Sequence, residues 1–124
     1  MRRPEHFEVL NEDAVFRPMG RVSLDQAAEL VTEGIAYARS LNICKLLIDL
    51  TNLTGFESPD IFSRYFIIQE WADAAGPRIR VAIVVRPEII DPYKFGTTVA
   101  GNIGFRADIF TTEGDALSWL KRMK

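Results

Sequence analysis

The run Lys45-Leu46-Leu47-Ile48-Asp49-Leu50 constrains this chain more than any other segment. An almost unbroken apolar stretch has no wet face. That is the pattern of a central strand covered on both sides, rather than of a strand that shows one face to water. Ile79 to Val85, containing Val81, Ala82, Ile83, Val84 and Val85, repeats the pattern with β-branched residues. A sheet buried on both faces needs helices to cover it, and the segments between the strands supply them.

Ser23 is a good N-cap, and Leu24, Ala28, Val31, Ile35 and Ala38 then recur at helical spacing, with Glu29, Glu33 and Arg39 on the opposite side. Gly34 weakens that helix by up to about 1 kcal/mol relative to alanine. After the central strand, Thr51 to Gly55 read as a polar turn. Ser58-Pro59-Asp60 read as a cap followed by proline at the first helical position, which predicts a second helix from Pro59 to about Ala75, stopped by Gly76-Pro77.

At the front of the chain, Phe7 to Leu10 and Ala14 to Pro18 flank the polar turn Asn11-Glu12-Asp13 and predict a hairpin. Pro18 has no N–H for a ladder, so the second strand ends or meets an unpaired edge there. Glu88 to Gly104 fits a helix interrupted by Pro92, Gly96 and Gly101, and Ala107 to Phe110 a last short strand. Thr112 and Asp115 resemble a capping box before a helix carrying Ala116, Leu117 and Leu120. The expectation is a single α/β domain over residues 1–124. It has a mixed, mostly parallel β-sheet packed with about four helices, in the order ββαβαβαβα.

At 124 residues there is room for one domain, and a composition of 48% hydrophobic and 26% charged residues is enough to bury a core. A formal net charge of −2 gives no broad basic surface, so nucleic acid is not an expected partner. No apolar run approaches the roughly 18 residues of a membrane span. Arg2 and Arg3 are followed by Pro4, Glu5 and His6 rather than by a signal-peptide core, so a cytoplasmic, bacterial-type protein is expected. Cys44 is the single cysteine, so it makes no internal disulfide. Beside the apolar run it is expected to be a small buried hydrophobe.

In an open α/β sheet, ligands gather beyond the carboxyl ends of the strands, here the turns after Leu50 and Val85. Those turns offer Asp49, Thr51, Asn52, Thr54, Glu57, Ser58 and Asp60, then Arg86, Glu88, Asp91 and Lys94. Nothing fixes two of the carboxylates at a catalytic separation. The only histidine, His6, lies near the terminus, and no HExxH, CxxC, phosphate-binding or dinucleotide-binding motif is present. No catalytic residue, metal site or cofactor is therefore expected; a small hydrolase is the remote alternative.

The second helix carries more apolar surface than one solvent-facing helix needs. Ile61, Tyr65, Ile68, Ala72 and Ala75 form a stripe, widened by Phe62, Phe66, Ile67 and Trp71. Three readings stay open: core, homodimer surface, or one wall of a pocket for a lipid or small apolar ligand.

The segment Gly20-Arg21-Val22-Ser23 followed by a helix, then KLLIDLTNLTGFESPDIF over Lys45 to Phe62 and the terminal DIFTTEGDALSWL, resembles the STAS domain of sulfate transporters and bacterial anti-sigma-factor antagonists. It looks closest to a compact bacterial branch related in architecture to CRAL-TRIO lipid-exchange domains. The matching positions are Asp49, Leu50, Thr54, Gly55, Phe56, Phe110, Ala116, Trp119 and Leu120. The resemblance implies a non-enzymatic binding or protein-interaction module. Its ligand or partner surface would be formed by Asp49, Asn52, Thr54, Phe56, Glu57, Phe62, Phe66 and Trp71. It also implies an alternative, a regulatory partner switched by phosphorylation, since the antagonists carry a phosphorylatable serine in a D-S-[SG]-type turn. This chain reads Phe56-Glu57-Ser58-Pro59-Asp60 there, so Ser58 is the one candidate phosphosite, with acidic neighbours that oppose an added phosphate.

Overall fold

A computed structural model of the chain describes residues 2–89 and 104–122. Its main sheet has five strands: β1 (Phe7–Leu10), β2 (Asp13–Phe16), β4 (Lys45–Asp49), β6 (Arg80–Val84) and β7 (Ala107–Phe110), lying side by side in that order. The first two form the expected antiparallel hairpin; β2, β4, β6 and β7 run parallel. The apolar run therefore sits in the middle of a mixed, mostly parallel sheet. The second hairpin strand stops at Phe16, before Pro18, and is not an edge, because β4 pairs with its other side.

Three helices cover the sheet among the described residues: α1 (Leu24–Ser40), α2 (Ile61–Ala75) and α3 (Glu113–Arg122). Side chains of a strand alternate between faces. On one face Phe16, Leu46, Ile48 and Ile83 pack with Val31 and Ile35 of α1 and with Ile68 and Trp71 of α2. On the other, Val15, Leu47, Ala82 and Val84 pack under Ala116 and Leu120 of α3. Of the helix expected over Glu88 to Gly104, the structure describes a short 3-10 turn over Pro87–Ile89. Residues 90–103, and with them Pro92, Gly96 and Gly101, lie outside the described residues, as does the side chain of Ile61.

The expected cap of α1 is present in full. Ser23 Oγ accepts from the Gln26 N–H at 3.2 Å, and Gln26 Oε1 accepts from the Ser23 N–H at 2.9 Å. At α3 the Asp115 N–H donates to Thr112 Oγ1 at 3.1 Å, half of the box the sequence implied. Gly34 is explained by packing: an alanine Cβ there would stand 2.5 Å from Cδ2 of Phe16.

Three expectations need correction. The stretch Thr51 to Gly55 is more than a turn, since β5 (Leu53–Thr54) pairs in parallel with β3 (Gly20–Arg21) as a separate two-stranded sheet. The second helix begins at Ile61, not Pro59, and its cap is Asp60, whose carboxylate accepts from the Ser63 N–H at 2.7 Å. Asp60 has the extended backbone of a cap, and it lies one residue past the proline, so Ser58 and Pro59 stay outside the helix. Cys44 is exposed rather than buried: it precedes β4, outside the two-sided cover that the strand receives.

Candidate functional site

The chain leaves the central strand under close control. The Leu50 N–H donates to Val84 O at 2.8 Å, and the pairing of β5 with β3 holds the next residues. Asn52 and Thr54 take part through their carbonyls, which accept from Gly20 N–H at 3.2 Å and Val22 N–H at 2.8 Å, while their side chains face solvent. Gly55 then turns the chain at φ +100°, with an imagined Cβ 2.6 Å from Val22 O, a place only glycine fills without strain.

Beyond the turn, Phe56 is half-buried against the core and Glu57 is exposed. Ser58 makes two long-range bonds. Its hydroxyl donates to Ile89 O at 3.1 Å, and its Oγ accepts from Arg64 Nη2 at 2.9 Å. The same Nη2 lies 3.3 Å from Pro59 O. Arg64 is only 9% exposed and pairs with no carboxylate among the described residues. Buried arginines are rare without an acidic partner. The serine turn is thus tied to α2 by a guanidinium and to the turn after β6 by a hydroxyl.

The helix that follows separates its apolar residues into two sets. Ile68, Trp71 and Ala75 enter the core, and the Trp71 indole N–H donates to Ala28 O at 3.2 Å. Phe62 at 78% exposure and Phe66 at 64% stand in solvent, with Tyr65 edge-on to Phe66 at 5.6 Å between ring centres. Trp71 therefore does not share a surface with Phe62 and Phe66. It lines, with Phe56, Arg64, Ile67 and Ile83, a mostly apolar cavity of about 70 Å3 between the helices and the sheet.

Asp49 departs from the proposed surface as well. It alternates with Ile48, so it points to the α3 face, where it is 7% exposed. Its Oδ1 accepts from Thr51 N–H at 2.9 Å and from Thr51 Oγ1 at 2.7 Å. Burial, and then a hydrogen bond to Glu113, push the Asp49 carboxyl above its ordinary value despite the Thr51 donors. Glu113 is held down to about 2, first by Arg17 and then by Asp49. Arg17 grips Glu113 with both arms, Nε to Oε2 at 2.8 Å and Nη2 to Oε1 at 2.9 Å. The result is an acid–acid pair anchored by one arginine, which ties the residue just after β2 to the end of β4 and the start of α3.

The structure thus places Ser58, Asp60, Phe62, Tyr65 and Phe66 on the exposed side at the start of α2, puts Trp71 with Arg64 and Phe56 around the cavity beneath it, and leaves Asp49 on the other face of the sheet. Sequence reading missed Arg64, and it placed Tyr65 in one stripe with Ile68 and Ala75, from which its exposure separates it. The signal for Arg64 was its place on the helix: it lies three residues before Ile67 and four before Ile68, in line with the buried stripe. No local signal marked the Arg17–Glu113 pair, whose members are 96 residues apart.

Among the described residues, no cluster of histidine, cysteine and carboxylate side chains could hold a metal ion, and no helix is long and apolar enough to cross a membrane. No protein-family model matches the chain, and no curated protein matches its sequence. Solved structures do match. An anti-sigma factor antagonist from Mycobacterium paratuberculosis superimposes with a TM-score of 0.62 at 17% identity, over 93% of this chain and 91% of that one. The anti-sigma factor antagonist SpoIIAA in its unphosphorylated form matches with a TM-score of 0.45 at 16% identity, over 95% of this chain and 96% of that one. At such identities the likeness is one of architecture, and on the first of these superpositions the chain has the STAS-like fold of an anti-sigma factor antagonist.

Proposed function

We propose that this chain is a non-enzymatic regulatory module. It would bind a partner protein through the exposed aromatic face at the start of α2, under the control of Ser58. One observation carries the reading: Phe62, Tyr65 and Phe66 are exposed on the first two turns of α2, and an exposed serine, Ser58, lies two residues before the cap of that helix. Exposed aromatics of this kind are enriched in interfaces. The fold shared with a protein described as an anti-sigma factor antagonist supports a protein partner.

At the apolar cavity that α2 itself lines, a lipid is disfavoured on volume. The cavity beside Trp71 measures about 70 Å3. A cavity of about 150 Å3 is what benzene occupies in a well-studied protein core, so a lipid chain does not fit here. A homodimer through the same aromatic face is the competing occupant.

The test is a photo-reactive side chain at position 66, in the protein expressed in its own host. The reading expects an adduct with a different protein, lost when Ser58 is replaced by aspartate. An adduct only with a second copy of the chain would replace the regulatory reading by a homodimer. An adduct indifferent to position 58 would remove the switch.

A further inference from the structure

Ser58 lies between two partners that respond oppositely to phosphorylation. The Ile89 carbonyl needs the serine hydroxyl as a donor. Arg64 donates to the serine oxygen and has no carboxylate of its own among the described residues. A kinase would transfer the γ-phosphoryl group of a nucleoside triphosphate to Oγ. The bond to the leaving nucleoside diphosphate breaks, the Oγ–P bond forms, and the hydroxyl proton passes to a base on the kinase. The product has no donor left for Ile89, and it places about two negative charges beside a buried guanidinium.

We infer that phosphate on Ser58 is received inside the domain by Arg64, and that the link from Ser58 to the Pro87–Ile89 turn is released in the same event. The inference rests on the regulatory reading of Ser58 for its biological meaning and deepens it, because it names the group that reads the phosphate. Glu57 and Asp60 flank the serine and oppose the added charge, but both are exposed, where water screens them. Arg64 is largely buried, and charge-assisted bonds in such a place are roughly twice as strong as neutral ones. The adjacent sequence shows only the repelling neighbours; the attracting one is folded back from the first turn of α2. Ile89 also borders the cavity that Arg64 lines, so the arginine and the released turn meet at one place.

The experiment installs phosphoserine at position 58 during synthesis and follows the 15N-labelled protein by NMR. The expected result is a scalar coupling across the hydrogen bond between Arg64 guanidinium nitrogen and phosphorus. The Ile89 N–H closes its turn by donating to Arg86 O at 3.0 Å, and once Ser58 no longer holds the Ile89 carbonyl that turn should loosen and the amide exchange about tenfold faster. Ser58→Ala should reproduce the faster exchange without phosphate. Arg64→Gln should abolish the coupling, and Arg64→Lys, which keeps a buried cation, serves if the glutamine variant does not fold. No coupling in the phosphorylated wild type, or unchanged Ile89 exchange, overturns the inference. The two readings fail separately. Coupling without any effect on partner capture would retain Arg64 as receiver and remove the regulatory role, and partner loss without coupling would do the reverse.

Discussion

Gly34 of α1 lies flat against the ring of Phe16 in β2, so close that a methyl group on Gly34 would come within 2.5 Å of Cδ2 and 2.8 Å of Cε2. Helix propensity alone favours alanine at this position by about 1 kcal/mol. Overpacking a fixed core ring costs about 1–3 kcal/mol, and Phe16 is fully buried, so the overlap outweighs the propensity. Gly34→Ala is expected to lower stability in urea unfolding, and Phe16→Leu in the same chain should recover part of the loss. A stabilised Gly34→Ala protein would mean that the ring moves aside freely.

The exposed aromatics should matter to binding and not to folding. Phe62→Ser and Phe66→Ser remove side chains that stand mostly in solvent, and such changes usually alter stability by no more than about 0.5 kcal/mol. The expected outcome is an unchanged melting temperature, with Phe62→Ser losing the partner crosslinked from position 66 and Phe66→Ser losing the same partner on co-purification. A large fall in melting temperature would place these rings in a packing role.

The helix cap can be assigned by comparing two neighbours. Asp60 Oδ1 accepts from the Ser63 N–H, and that bond, the leading cause, holds the Asp60 carboxyl below its ordinary value. Asp60→Ala is therefore expected to reduce the helical signal of α2 and the melting temperature more than Ser58→Ala does, while Asp60→Asn should retain most of both. Equal losses from the two alanine variants would contradict the assignment.

The acid–acid pair makes a pH prediction with a definite sign. Glu113 is at about 2 in the folded chain against an ordinary 4.5, so between those values the unfolded chain binds more protons. The stability contributed by Glu113 is thus present above pH 4.5 and lost as pH falls toward 2. Asp49 acts in the opposite sense: its raised carboxyl contributes below its ordinary 3.8 and loses that contribution as pH rises through the folded value. Glu113→Gln should therefore be less stable than wild type near neutral pH, with a gap that narrows toward pH 2. Urea midpoints across that range check it, and a gap independent of pH would show that Glu113 acts only through packing.

Much of the fold was legible because the decisive signals are local. The apolar run at Lys45, the caps at Ser23 and Thr112 and the hairpin turn at Asn11 each act within a few residues, and each forms where expected. What escaped is non-local. Two-residue strands such as β3 and β5 have no periodicity to read and exist only by pairing across more than thirty residues. Ser58 resembles a cap by sequence, and only the backbone of Asp60 shows that the helix begins later. The candidate site was half-read for the same reason: Phe62 and Phe66 could be named, but Trp71 and Asp49 could be assigned to other faces only by the sheet that turns them away.

The sheet's spatial order follows the order of synthesis, since β1, β2, β4, β6 and β7 are neighbours in the sequence in which a ribosome makes them. Each new strand finds its pairing edge already waiting, and no strand must be threaded between two others. The exception is coverage: Leu47, Ala82 and Val84 stay bare on one side until α3 emerges. A chain whose α3 has not yet docked exposes that apolar face, so the docking of α3 is the step that guards it against association with other chains.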